Sequence, residues 1–302
     1  MKQTLKKIYH TTQSTRRWTS ERYWKSKVEP VLRAGGTPDT SRAEADFEQL
    51  TRQGSELLHL DYGYGARDTW HRAVTRVEQL IDLPGLAEPT KKVLEACCGD
   101  GSVGAALRMY GHDVHLSDMN DWRHARAKDL PFTEGCLEDG LPLETASMDA
   151  AFSYNAFEHV DDPRASLEEL ARVVKPGGVI YLSFGPLYAS PWGMHAYRTI
   201  PVPFLQHIFS EPFTLKKLKE VGIDDLGSKL DELQPMNRWT VSQFDNLWRS
   251  AKGLKIEGLS WMRSDLKTVP VLLAYPESFR GRGLVWEDIA YSGCVVTLRR
   301  TR

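Results

Sequence analysis

The stretch VLEACCGDGSVG, Val93 to Gly104, puts chemistry-bearing residue types at a telling spacing. Gly99, Gly101 and Gly104 satisfy G-x-G-x-x-G between a strand-like apolar run and a helix-like one. Such a turn lets a ligand approach the backbone without Cβ clashes and aims helix N-terminal N–H groups at it. Asp118 ends the next apolar run, HDVHLSD, and its carboxylate can accept from both hydroxyls of a ribose. This pattern by itself serves a dinucleotide. Glu95, just ahead of the turn, opposes that reading, because a carboxylate there repels a pyrophosphate at short range. It suits a cofactor with a cationic pole and no phosphate. Cys97 and Cys98 follow the acid. Adjacent cysteines make a strained disulfide, so we read them as small thiols filling a tight junction rather than as a metal pair or redox couple.

A second set of candidates lies further on. Asn155, Glu158 and His159 follow the apolar run MDAAFSYN. His159 is a candidate base; the competing reading is a structural role in the strand-to-helix connection. His195, in the loop WGMHAYR, is the leading base candidate outside the motifs, whereas His207 has helical spacing to Phe204 and Glu211 and reads as packing. Trp192, Tyr197, Arg198 and Trp239 are candidates for holding an acceptor, with ordinary core packing the competing reading for each aromatic. Tyr62 and Tyr64 sit in a break, DYGYGARD, from which they can close over a cofactor.

These residues need elements to position them. KVLEAC, HDVHLSD, MDAAFSYN and GVIYLSF read as strands, with SVGAALRMYG and DDPRASLEELARVV as intervening helices. Asp162 is the predicted N-cap of the second helix, with Pro163 at its first position and Leu167, Leu170 and Val174 as its buried stripe. KPGG reads as a turn. The alternation predicts an α/β fold: a mostly parallel sheet with helices on both faces. Residues 1–88 read as a polar, mostly helical extension or cap, with Trp70, Val74, Val77, Leu80 and Ile81 at helical spacing. Residues 89–302 read as the sheet domain, with insertions at 185–250 and 264–290, the latter mobile in character. LKIEGLSWMR and YSGCVVTLRR are two late strands, and Cys294 is core of the last.

A chain of 302 residues can bury a substantial core in one large domain or two. A formal net charge of -1 does not mark the whole protein as a nucleic-acid binder. The first 30 residues are nonetheless basic, with Lys2, Lys6, Lys7, Arg16, Arg17, Arg22, Lys25 and Lys27 against Glu21 and Glu29. We read them as a solvated arm or exposed helix, the alternative being contact with an anionic substrate or peripherally with a membrane surface. No apolar run has the length of a transmembrane segment, and no signal-peptide core stands at the N-terminus. Four irregularly spaced cysteines fit a reducing, cytoplasmic setting.

Taken together, the blocks resemble class I S-adenosylmethionine-dependent methyltransferases of the type 11 group. VLEACCGDG resembles their first motif and VHLSD their second, ending in the ribose acid. GCLEDGLPLETASMDAAFSYNAFEHVDDP resembles the adenine turn and fourth strand, and ELARVVKPGGVIYLSF the helix, turn and fifth strand. The resemblance covers about Lys92 to Phe184 and implies a Rossmann-like, seven-stranded sheet. S-adenosylmethionine carries an ammonium and a sulfonium and no phosphate, which fits Glu95. The resemblance implies cofactor contacts at Glu95, Cys97, Gly99, Gly101, Asp118, Met119, Leu137, Glu138, Asn155 and Tyr62. Cys97 stands where the family has its first glycine, and Cys136 where an acid often meets adenine, leaving Leu137 and Glu138 for the adenine edge. Glu158 and His159 match a pattern with which some ubiquinone-pathway O-methyltransferases hold a divalent ion. Asn155 stands where a further acid is expected, so no metal is assigned.

The expected function is therefore methyl transfer, with oxygen of a small molecule or glycan hydroxyl as the favoured acceptor and His195, His159 and Glu158 as catalytic candidates. N- or C-methylation is the nearest alternative, followed by a non-catalytic S-adenosylmethionine-binding regulatory module. Glu95 disfavours an NAD-dependent oxidoreductase. A nucleic acid acceptor is disfavoured because SYNAFEH stands where many base methylators carry N–P–P–aromatic.

Overall fold

The alternation of apolar runs with amphipathic stretches is realised in a computed structural model that describes residues 20–42, 44–58, 63, 65–222 and 233–301. Among the described residues, seven strands form one sheet: β1 (Lys92–Ala96), β2 (Asp113–Asp118), β3 (Phe132–Glu134), β4 (Met148–Tyr154), β5 (Val174–Phe184), β6 (Leu254–Arg263) and β7 (Tyr291–Arg300). Their order is β3-β2-β1-β4-β5-β7-β6. β1 pairs in parallel with both β2 and β4, β3 extends β2, β5 extends β4, and β7 runs antiparallel to β5. Strands covered on both faces read as nearly continuous apolar runs, and Val93 to Ala96 are all buried. The order reverses between β1 and β4, so the carboxyl ends of these strands form the crevice where such sheets hold ligands.

Helices cover both faces. α3 (Ala66–Ile81) and α4 (Ser102–Met109) bury Ala73, Val77 and Leu107 against Val93, Phe152 and Tyr181. Phe184, three residues beyond Tyr181, points to the opposite face. There α8 (Val241–Ser250) brings the rings of Phe244 and Trp248 to 4.9 and 6.2 Å from it. A capping box of Thr240 and Gln243 starts α8. α5 (Pro163–Val173) starts as expected, with the Asp162 side chain accepting from the N–H groups of Arg164 and Ala165.

The chain divides into two compact units. The sheet unit combines His59–Tyr188, Pro235–Met262 and Gly293–Arg302; the helical unit combines Met1–Leu58, Ala189–Gln234 and Arg263–Ser292. In the helical unit, α1 (20–33), α2 (Glu44–Leu57), α6 (Leu205–Ile208), α7 (Glu211–Val221), α9 (Val269–Ala274) and α10 (Trp286–Ala290) surround their own apolar core. Val28, Phe47, Phe204, Leu272 and Ile289 lie at its centre.

Several elements differ from the sequence reading. The boundary at residue 88 and the insertion 185–250 do not coincide with the units: α3 and α8 belong with the sheet because their apolar stripes are buried there. Residues 264–290 are not a loose insertion but carry α9 and α10, and Val271, Leu272, Phe279 and Ile289 are buried. KPGG lies inside β5 as an irregularity: pairing jumps from Met148↔Val174 to Ala150↔Val179, with Gly177 at φ +84°. Val174 accordingly belongs to β5 rather than to the stripe of α5. The short edge strand β3 was not read from the residues. Lys2, Lys6, Lys7, Arg16, Arg17, Tyr62 and Tyr64 lie outside the described residues. Among the described residues, no helix is long and apolar enough to cross a membrane.

Candidate active site

The turn from β1 into α4 is built by backbone conformation and by the chain's own carboxyl groups. Cys97, Gly99 and Gly101 adopt φ of +53°, +53° and +67°. A left-handed backbone favours glycine, which explains why Cys97 stands out as a departure there. Gly99 N–H donates to Asp118 Oδ2 and Met119 N–H to Asp118 Oδ1, both at 2.8 Å. Each carboxylate oxygen keeps acceptor capacity for a further donor. Burial raises the Asp118 pKa against the opposing pull of backbone N–H groups of Gly99, Met119 and Asn120.

Glu95 is 4% exposed, and its Oε2 accepts from Gly104 N–H at 2.7 Å, within the first turn of α4. Gly104 has to be glycine: a Cβ there would lie 2.6 Å from that oxygen and 2.5 Å from Leu116 Cδ2. Ser102 N–H donates to Asp100 Oδ1 at 2.8 Å. Two N–H groups at the start of α4, the donors a pyrophosphate would use, are thus occupied from within. Burial pushes Glu95 up to about 8, helped by Asp100 and Asp118 and opposed by the Gly104 N–H and Arg76. The side chain is therefore mostly neutral at pH 7. Glu95 thereby braces the helix start and takes a donor that a phosphate would use.

The negative field at this turn comes from other groups. Burial drives the Cys97 thiol far up, and Asp118, Glu138 and Glu158 add to the effect. Cys98 is pushed up likewise, and all four cysteines are free. Neutral thiols at a tight junction match the packing reading. Leu137 is buried in the 3-10 turn Leu137–Asp139. Glu138 anchors that turn, accepting from Asp161 N–H at 3.3 Å and Ser166 Oγ–H at 3.2 Å. Met119 is 61% exposed. Asn155, exposed at φ +52°, donates its backbone N–H to Ser183 O at 2.8 Å.

Glu158 and His159 lie on the turn after β4. Glu158 is buried, its Oε1 accepts from Gly185 N–H at 3.0 Å, and its Oε2 has no partner among the described residues. Burial raises its pKa. His159 Nδ1 lies 2.7 Å from Pro235 O. A carbonyl only accepts, so this contact assigns the proton to Nδ1 and makes Nε2 the basic nitrogen of the neutral ring. Nε2 is 3.9 Å from Glu158 Oε1. Two contributors escaped the sequence reading: Pro235, whose carbonyl carries no sequence signal, and Arg76. The Arg76 guanidinium stands 4.4 Å above the Tyr154 ring and favours the ionised forms of Glu95 and Glu158. Its position beside the buried Val77 on the inner side of α3 was the available signal.

The remaining candidates divide between the units. In the helical unit the His195 ring lies 6.5 Å and the Trp192 ring 6.3 Å from Tyr197, with His195 at φ +59°. Arg198 is half-buried beside them in sequence. Trp239 belongs to the sheet unit, its ring 5.3 Å from Phe244 of α8. His207 is buried against Phe279, and burial lowers its pKa to about 3, in keeping with packing.

Residues 94–182, from β1 to β5, match the family model described as a methyltransferase domain. This segment is a methyltransferase domain. Over 110 residues, 35% of this chain and 42% of the relative, the chain is 34% identical to a malonyl-[acyl-carrier protein] O-methyltransferase of Serratia marcescens. Over 112 residues, 34% of this chain and 46% of the relative, it is 29% identical to a ubiquinone biosynthesis O-methyltransferase of Cronobacter sakazakii. These matches span less than half the length of the curated relatives. A solved S-adenosylmethionine-dependent methyltransferase from Mesorhizobium loti aligns at 20% identity and a TM-score of 0.45, over 75% of this chain and 96% of that one. The glycine turn, Asp118, the 3-10 turn and the Glu158–His159 pair all fall within the methyltransferase domain or at its strand ends.

Proposed function

We propose that the protein transfers a methyl group from S-adenosylmethionine to a hydroxyl oxygen of a small molecule or glycan. One observation carries this reading: Glu95 and Asp100 occupy the first N–H groups of α4 while Asp118 keeps acceptor capacity. A nucleoside is served by that arrangement and a pyrophosphate is not. The residues present fit such a cofactor. A Cβ added at Gly99 would meet nothing within 4 Å, so the loop borders open space, and Asp118, Glu138 and Glu158 make that region acidic. When bound, S-adenosylmethionine supplies a methyl group already activated on a sulfonium.

The chain's own residues then have limited tasks. Asp118 accepts from the ribose hydroxyls, with Met119 and the Leu137–Glu138 turn beside the base. His159 Nε2 takes the acceptor's proton as methyl transfer proceeds. Glu158, buried 3.9 Å from that nitrogen, is the acid beside the base. Trp239, on the same unit as His159, is held as an acceptor contact. Glu158 and His159 are the donors the sheet unit would offer a divalent ion; a hard cation needs more oxygen ligands than this pair supplies. No step is routed through metal. The O-methyltransferase names of two relatives support oxygen over nitrogen or carbon.

Calorimetry tests the cofactor assignment. S-adenosylhomocysteine is expected to bind and NADH not to bind, and Asp118→Ala should weaken the former about tenfold or more, the loss of a charge-assisted hydrogen-bond pair. NADH uptake without S-adenosylhomocysteine uptake would overturn it. Methyl-labelled cofactor incubated with an extract of the source organism, followed by mass spectrometry, identifies the acceptor. His159→Gln should slow label transfer about 100-fold.

A further inference from the structure

We propose that Asn237 is a positioning residue that fixes the His159 tautomer by clamping the turn on which His159 sits; its catalytic meaning rests on His159 being the base. Asn237 Nδ2 donates to Phe157 O at 2.6 Å and to Val160 O at 3.0 Å. Its backbone N–H donates to Glu158 O at 3.0 Å. One residue thereby satisfies three of the four successive carbonyls of the Phe157–Val160 turn. The turn is closed from its other side, where the N–H groups of His159 and Val160 both donate to Ala156 O, at 2.7 and 3.2 Å. Asn237 is itself held, because its Oδ1 accepts from Trp239 N–H at 3.0 Å, immediately before the capping box that starts α8.

The clamp has a chemical consequence. Pro235, two residues upstream on the same segment, presents the carbonyl that accepts the hydrogen bond from His159 Nδ1–H. Docking the segment through Asn237 fixes the register in which that carbonyl meets the ring. With Nδ1–H satisfied, the lone pair belongs to Nε2, the nitrogen assigned to proton abstraction. The amide is required for this. Two carbonyl acceptors need two donors, which an asparagine side chain has and an ionised aspartate of nearly the same shape does not.

The test is a two-bond proton–nitrogen correlation spectrum of the full chain labelled with nitrogen-15 histidine. His159 is assigned by the signal lost in His159→Gln. The parent is expected to show His159 as the Nδ1–H tautomer. Asn237→Asp and Asn237→Ala are expected to lose that single tautomer and to slow label transfer about tenfold or more, with S-adenosylhomocysteine affinity unchanged. If one variant fails to fold, as judged by loss of a cooperative melt, the other is read. Retention of the Nδ1–H tautomer in a folded variant, or an Nε2–H tautomer in the parent, overturns the proposal. A parent with the expected tautomer that binds no S-adenosylhomocysteine refutes the cofactor reading instead and leaves the clamp standing.

Discussion

Glu95 shows how a residue type is legible in a sequence while its surroundings are not. The acid is buried against Gly104 N–H, and burial raises its pKa from 4.5 to about 8. Because the folded pKa lies above the unfolded one, its contribution to stability is full below about pH 4.5 and is lost as pH rises through about 8. Glu95→Gln keeps an acceptor for Gly104 N–H and cannot ionise. Denaturant unfolding at pH 5 and pH 8 should show the parent losing more stability than this variant, by at most about 4 kcal/mol. An equal change in both would contradict a protonated, buried carboxyl. Cys97 is a second case. At φ +53° it occupies a backbone conformation that costs a side-chain-bearing residue about 1 kcal/mol or more. Cys97→Gly should relieve that strain, offset in part by the entropy of a freer unfolded chain, and the melting temperature should rise or hold. A clear fall would mean the thiol packs better than the backbone suffers.

How α4 meets β2, and how α5 begins, separate what local sequence can and cannot announce. The start of α5 was legible because capping is local: Asp162 reaches N–H groups two and three residues on. Asp162→Ala should cost about 1 kcal/mol in denaturant unfolding. The fit of α4 against β2 was legible only as a glycine pattern. What Gly104 avoids, Leu116 Cδ2 and Glu95 Oε2, is contributed by two different strands. Gly104→Ala should destabilise by about 1–3 kcal/mol, the range for forcing extra atoms into a filled core. KPGG misled for the opposite reason. Proline and glycines signal a turn, but pairing with β4 on both sides of the irregularity keeps those residues within one strand.

Each unit draws on three stretches of chain, and β7, from the final stretch of the sheet unit, lies between β5 and β6. Deleting residues 293–302 should therefore abolish the cooperative melt of the sheet unit instead of trimming a dispensable tail; a melt that survives would contradict that assembly. The sequence alone determined the strand–helix alternation, the glycine turn with Asp118 and the late strands, because periodicity, capping and glycine conformation are properties of neighbours in the chain. The tertiary structure alone decided that α3 and α8 join the sheet, that Glu95 is spent inside α4, and that Pro235 and Asn237 meet His159. Those outcomes depend on burial and on hydrogen-bond partners up to 80 residues away, and backbone carbonyls look the same at every position of a sequence until the fold chooses their donors.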